Sequence, residues 1–299
     1  MTSDLDLRGV WVPLITPFDA SGAVDAGAIE RLCGEYLSAG VAGIVALGTT
    51  GETSSLEDDE KRLVVDTIAH VCHSAGARVI VGTGTNNTGH TIAATSALAG
   101  LPAVVGALVV VPYYVRPSEA GIVAHMQAVA AHSPVPLVVY NIPSRTGRGL
   151  GAASLLELAR TPNIAGVKQA VATLDADTLE LLANVPAGFG VLGGEDTLLF
   201  PLMCMGAAGT ISAAAHLCTE QFVAMIECGL ASKTEDGRAH AEALLPMVRA
   251  AYVEPNPAVF KGVLHAQGRI ATADVRLPLT NASEASVDRC LEAVTHASR

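Results

Sequence analysis

The feature that most restricts this chain is a rhythm. Short, nearly unbroken apolar runs recur at residues 10–15, 43–47, 79–81, 103–111, 137–140, 164–167, 190–192 and 209–212. Between them lie stretches of helical spacing, among them residues 25–39, 57–75, 118–131 and 151–160. Strands that are apolar throughout, rather than alternately, are buried on both faces. Alternation of strand and helix pairs the strands in parallel through right-handed crossovers. Eight such units fit an α/β fold of the closed (β/α)8 TIM barrel type. An open doubly wound sheet would carry a glycine-rich dinucleotide loop after its first strand. Here the first run ends in Thr16-Pro17, and Gly82-Thr83-Gly84 lacks the third glycine of that motif, Asn87 standing in its place. A barrel needs one closing helix after its eighth strand, and this chain continues well beyond that. The expected organisation is therefore a barrel over residues 1–219 and a C-terminal helical extension over 220–299, with no linker between them.

Composition narrows the function. The chain is 50% hydrophobic and 16% charged, which excludes a disordered protein. A net charge of −11 argues against a nucleic acid or an anionic membrane as partner. A small anionic substrate stays open, since a few local cations outweigh a distant field. The six cysteines form no CxxC pair, so buried, reduced thiols are expected. His70 and His73 stand three apart on a helix without acidic or thiol companions, which reads as a surface pair. The most apolar stretch, residues 101–115, is interrupted by Gly106 and Pro112 and is too short to span a bilayer. With no signal-like start, the expectation is a soluble, cytoplasmic protein needing no metal or organic cofactor.

In a parallel barrel, chemistry gathers where the strands end. The second run ends in Gly48-Thr49-Thr50-Gly51-Glu52, the fourth in Pro112-Tyr113-Tyr114, the fifth in Tyr140-Asn141-Ile142-Pro143-Ser144-Arg145, and the sixth in Lys168-Gln169. Lys168 is the most informative, because lysine is seldom buried without a task or a partner. An apolar pocket disfavours an ammonium and frees the amine to condense with a ketone. Position alone leaves an anion-holding cation as an equal reading. Tyr140 reads either as a core phenol or as a proton shuttle beside that lysine. Thr49 and Thr50 offer hydroxyl and backbone N–H donors for a small carboxylate, or a helix cap. Arg145 reads as a loop charge or as a bidentate carboxylate clamp.

Taken together these segments, with Val12 to Phe18, Gly166-Val167-Lys168, Val253-Glu254-Pro255-Asn256-Pro257 and Arg276 to Thr280, resemble the dihydrodipicolinate synthase / N-acetylneuraminate lyase family of pyruvate-dependent class I aldolases. The resemblance runs through nearly the whole chain. It implies a TIM barrel with a C-terminal helical subdomain. It implies Lys168 as the Schiff-base lysine, Tyr140 as the proton shuttle, and Thr49 as the link to Tyr114, which would enter a neighbouring subunit's site. Thr50 would hold the pyruvate carboxylate, with Gly194 and Ile211 near the bound molecule. Arg145 resembles the arginine by which the synthases of the family bind the carboxylate of aspartate semialdehyde. The expected reaction is thus condensation of pyruvate with that aldehyde, in a homo-oligomer, dimer or dimer of dimers. The alternatives are another pyruvate aldolase acting on a sugar acid or other aldehyde, a non-catalytic keto-acid-binding barrel, and a phosphate-binding barrel enzyme. Gln169, Val111 and the segment Gly193-Gly194-Glu195-Asp196 depart from the common synthase pattern, at positions expected near the pocket. Lys61 and His90 stand where lysine-inhibited members often carry histidine and glutamate, so weak lysine feedback is expected.

Overall fold

A computed structural model describes residues 5–298. Eight parallel strands close into a barrel in sequence order, the first pairing with the last. They are β1 (Gly9–Pro13), β2 (Gly43–Ala46), β3 (Val79–Gly82), β4 (Val104–Val110), β5 (Leu137–Asn141), β6 (Ile164–Gln169), β7 (Gly190–Gly193) and β8 (Gly209–Ile211). The first run is shorter as a strand than as a pattern. Leu14 N–H still reaches Val45 O at 3.0 Å, but Ile15 N–H turns away to the His216 ring, 3.2 Å distant.

Helices surround the barrel: α1 (Ala26–Ser38), α2 (Asp58–Ser74), α3 (Thr88–Ser96), α4 (Glu119–His132), the single turn α5 (Pro143–Thr146), α6 (Ala152–Ala159), α7 (Ala176–Asn184), α8 (Leu199–Cys204) and α9 (Thr219–Leu230). Their starts are written in the sequence. Asp25 accepts from Ala28 N–H at 2.9 Å and Asp175 from Thr178 N–H at 2.9 Å, and Ser118 caps α4. Glu57 and Glu60 form a reciprocal capping box on α2. Residues 25, 57, 118 and 151, which open the helical stretches in the sequence, are thus caps rather than first-turn residues. α9 packs on β1 and β8; α10 (Thr234–Ala251), α11 (Ala258–Ala266) and α12 (Glu284–Ala297) follow, α10 lying against α9 and α12.

Two apolar clusters result. The larger lies between strands and helices, and its members come from the first strand through α12. The smaller fills the barrel itself with Trp11, Val45, Ile80, Leu108, Val138 and Leu192. Trp11 is fully buried at the barrel's lower end, its indole N–H donating to Leu7 O at 3.2 Å. Its partner in register is Gly43, where an added Cβ would lie 2.5 Å from the indole ring. This packing fills the barrel interior, and a cavity lies at the strands' carboxyl ends.

All six cysteines are free, as expected, but not all are buried: Cys204 is exposed and Cys228 half-buried, because α8 and α9 carry them on outward faces. His70 and His73 are exposed on α2. Among the described residues no helix is long and apolar enough to cross a membrane.

Candidate active site

β5 and β6 pair so that Tyr140 and Lys168 are direct neighbours. Side chains alternate along a strand, and both of these fall on the inward parity, with Val138 below and Ile142 and Ala170 above. The Lys168 Nζ lies 4.4 Å from the centroid of the Tyr140 ring, and the two residues are only 7% and 6% exposed. They form the floor of a cavity of about 370 Å³. Thr49, Thr50, Arg145, Gly194 and Ile211 line it as well, so seven of the eight residues singled out in the sequence share one pocket. Tyr114 is the exception within this chain. It is 88% exposed, adopts φ +69°, and lies outside the cavity lining.

Local geometry explains several of these placements. Thr49–Gly51 is one 3-10 turn that follows β2, closed by Glu52 in the left-handed region at φ +54°. Thr16 Oγ1 donates to Gly51 O at 2.7 Å, tying the turn to the segment after β1. Gly194 stands beside the lysine: an added Cβ would sit 2.8 Å from Lys168 Cε. Arg145 lies in α5, whose start is set by Pro143, and it is exposed at the pocket's rim, its guanidinium making no hydrogen bond or ion pair among the described residues.

Two departures from the family pattern turn out to lie elsewhere than expected. Gln169 has outward parity. Its Oε1 accepts from Asn141 Nδ2 at 2.9 Å and its Nε2 donates to Thr178 Oγ1 at 3.1 Å, a buried network behind β6. Val111 is fully buried in the outer apolar cluster. Neither lines the cavity. Gly194, Glu195 and Asp196 do.

The remaining wall comes from residues that sequence reasoning missed. Val248, Arg249 and Tyr252 descend from the end of α10, and Asn256 from the loop before α11. The Tyr252 hydroxyl donates to Asp196 Oδ2 at 2.7 Å, and Ala214 N–H donates to the same oxygen at 3.0 Å. Burial raises the Asp196 carboxyl above its ordinary range despite these donors. Burial, and then the charge of Asp196, hold the Tyr252 phenol well above its own. Asn256 Nδ2 donates to Thr50 Oγ1 at 3.0 Å. Asn256 belongs to a motif that marks the family, which was its only visible signal; the others carry none, since nothing local places α10 over a barrel mouth.

Beneath the threonine turn lies an ion pair that local sequence also hides. Lys261 and Glu52 are 209 residues apart and 2.6 Å from each other, with side chains 0% and 1% exposed. Lys261 also donates to Asp274 O at 2.7 Å, and the second Glu52 oxygen accepts from Arg276 N–H at 2.8 Å. Burial draws the Lys261 ammonium below its ordinary pKa, although Glu52 opposes this.

Fold and site define a class, the (β/α)8 barrel enzymes that work with a lysine amine at the strand ends. The comparisons are more particular. Residues 6–297 match the model of the dihydrodipicolinate synthetase family, and the chain belongs to that family. A 4-hydroxy-tetrahydrodipicolinate synthase from Salinibacter ruber is 38% identical over 96% of this chain and 94% of its own. The enzyme of the same name from Oenococcus oeni is 38% identical over 98% and 99%. Among solved structures, the chloride-inhibited dihydrodipicolinate synthase of Acinetobacter baumannii in complex with pyruvate has a TM-score of 0.93 at 32% identity, covering 97% of this chain and 99% of its own. The dihydrodipicolinate synthase of Thermotoga maritima also has a TM-score of 0.93, at 31% identity and with 98% and 99% coverage.

Proposed function

We propose that this lyase condenses pyruvate with L-aspartate 4-semialdehyde to 4-hydroxytetrahydrodipicolinate, the step that commits carbon to diaminopimelate and lysine. The observation that carries the reading is the pairing of Lys168 with Tyr140 on the floor of the cavity. The Lys168 amine attacks the pyruvate ketone, and loss of water gives the imine. The cationic nitrogen acidifies the methyl group, and loss of a proton gives the enamine. The enamine carbon bonds to the aldehyde carbon, whose oxygen takes up a proton. The second substrate's own amine then attacks the imine carbon and displaces Lys168 as the ring closes. Tyr140 and Thr49 move protons, completed by Tyr114 across a subunit contact. Thr50 holds the pyruvate carboxylate, Arg145 holds the other carboxylate, and Gly194 and Ile211 shape the space beside the imine.

The same reading makes the chain a cytoplasmic homo-oligomer, a dimer or a dimer of dimers. It divides the chain into a barrel at 1–219 and a C-terminal helical unit at 220–299, the latter lending the site its outer wall. Weak lysine feedback also belongs here; inhibition by sub-millimolar lysine contradicts it.

The test is chemical trapping. Pyruvate followed by borohydride adds mass to the intact protein, and peptide mapping places it on Lys168. Lys168→Ala takes no adduct. An unchanged mass for the native protein overturns the reading. So does faster turnover with sugar-acid or aromatic aldehydes than with aspartate semialdehyde.

A further inference from the structure

Thr50 is 3% exposed, so its hydroxyl has little access to bulk water. A hydroxyl has one proton to give and two lone pairs to receive. Asn256 Nδ2 occupies a lone pair at 3.0 Å, and among the described residues no acceptor takes the Thr50 proton. The open space beside both residues is the cavity whose floor is Lys168. Were the amide turned the other way, its oxygen would accept the Thr50 proton and leave the hydroxyl nothing to offer a carboxylate. In the observed orientation Asn256 Oδ1 is buried and lacks a hydrogen-bond donor. Such an orphan is costly, and turning the amide would only exchange it for an orphan Nδ2, so the number of bonds Asn256 itself makes does not set the orientation.

The surroundings hold this arrangement. Asn256 precedes α11, whose residues from Ala258 to Leu264 are all buried, and Ala258 N–H reaches back to Pro255 O at 2.9 Å. The turn carrying Thr50 is held at Glu52 by Lys261 and by Arg276 N–H, both from the same C-terminal region. That region thus grips the turn at two points.

We infer that Asn256 is a positioning residue that makes the Thr50 hydroxyl an obligatory donor to the keto-acid carboxylate. The inference rests on the reading above that Thr50 binds this carboxylate. It assigns the C-terminal helical region a part in pyruvate binding as well as in closing the pocket.

The decisive comparison is Asn256→Asp against Asn256→Ala. The aspartate takes the Thr50 proton, whereas alanine leaves the hydroxyl free to rotate. KM for pyruvate rises about 10- to 100-fold in Asn256→Asp, several times further than in Asn256→Ala, while kcat at saturating pyruvate changes little in either. At acid pH the new carboxyl protonates and the gap between the variants narrows. Simple repulsion of pyruvate by a new charge is separated by repeating both substitutions in a Thr50→Val background. There the two must give equal KM; a gap that persists without the hydroxyl overturns the inference. Should Asn256→Asp fail to fold, Asn256→Leu serves instead, with a severalfold rise in KM expected and an unchanged KM decisive against. Native protein that traps pyruvate while Asn256→Asp and Asn256→Ala bind it alike sinks this inference alone. Native protein that traps none sinks the functional reading with it.

Discussion

Lys168 sits where its neighbours leave it one direction to reach. Tyr140 and Leu192 flank it as register partners on β5 and β7, Val138 fills the barrel one inward position below Tyr140, and the missing side chain of Gly194 gives its methylenes room. Gly194→Ala therefore forces the lysine stem aside at a cost of about 1–3 kcal/mol. The expected result is a trapped-adduct rate at least about tenfold lower with an intact fold, since 1.36 kcal/mol is tenfold in rate. Normal trapping by this variant would show that the lysine does not depend on that space. Arg145 has the opposite character: it is exposed and, among the described residues, its side chain has no partner to lose. Arg145→Ala should leave pyruvate trapping unchanged and lower kcat/KM for aspartate semialdehyde by about 100-fold, the worth of a charge-assisted bidentate contact. Steady-state kinetics with that aldehyde and with one lacking a carboxylate separates this role from general damage.

At the scale of elements, the threonine turn is held by its far end. Glu52 sits in a left-handed conformation, and its carboxylate is shared by Lys261 and the Arg276 backbone. The Arg276 guanidinium in turn grips Glu60 of α2 with two contacts of 2.6 Å. Removing one partner of a buried pair strands the other charge, so Lys261→Met should cost about 3–5 kcal/mol of stability. Adding Glu52→Gln removes the stranded charge and should restore part of that loss. Urea unfolding of the single and double variants measures both; a double variant no better than the single would mean the charge is not what matters. The first turn of α2 shows the same economy, Glu60 serving the capping box and the Arg276 pair together.

For the molecule as a whole, His216 links the parts. It is fully buried against Tyr36 of α1 and Phe260 of α11. Its Nε2 accepts from Ile15 N–H at 3.2 Å, and its Nδ1 bonds Ala213 O at 2.8 Å, which fixes the neutral tautomer with the proton on Nδ1. Burial draws its pKa from 6.5 to about 4. The unfolded chain therefore binds the extra proton first. The stability tied to neutral His216 is complete above pH 6.5 and is lost as pH falls through about 4. At 1.36 kcal/mol per unit that is about 3 kcal/mol. His125, whose pKa burial also lowers, adds in the same direction. The unfolding free energy should decline across this window, and His216→Gln should flatten the decline; an equal slope in both would remove His216 as the cause. Assembly belongs to this scale too. On the proposed reading, in which a neighbouring subunit supplies Tyr114, Lys168→Ala and Tyr114→Phe should each be inactive alone and regain activity when mixed and allowed to exchange subunits. Continued inactivity, with exchange shown by mass, would place Tyr114 outside the relay.

What the sequence determined by itself was whatever depends on neighbours along the chain. Apolar runs buried on two faces, interleaved with capped helices, dictate a closed parallel barrel. A barrel puts strand ends together, which made Lys168, Tyr140, Thr49 and Thr50 candidates for one site; only the family resemblance joined Arg145 to them, since its local sequence reads equally as a loop charge. Tertiary structure alone decided which side each strand-end residue faces: Gln169 turned out to an amide network although its neighbour Lys168 turned in, because parity is fixed by pairing register. It alone brought Tyr252, Arg249 and Asn256 over the mouth and set Lys261 against Glu52. Those contacts join residues 56 to 209 positions apart in the chain but adjacent in space, and they are chosen by how a whole helical layer packs, which no local pattern encodes.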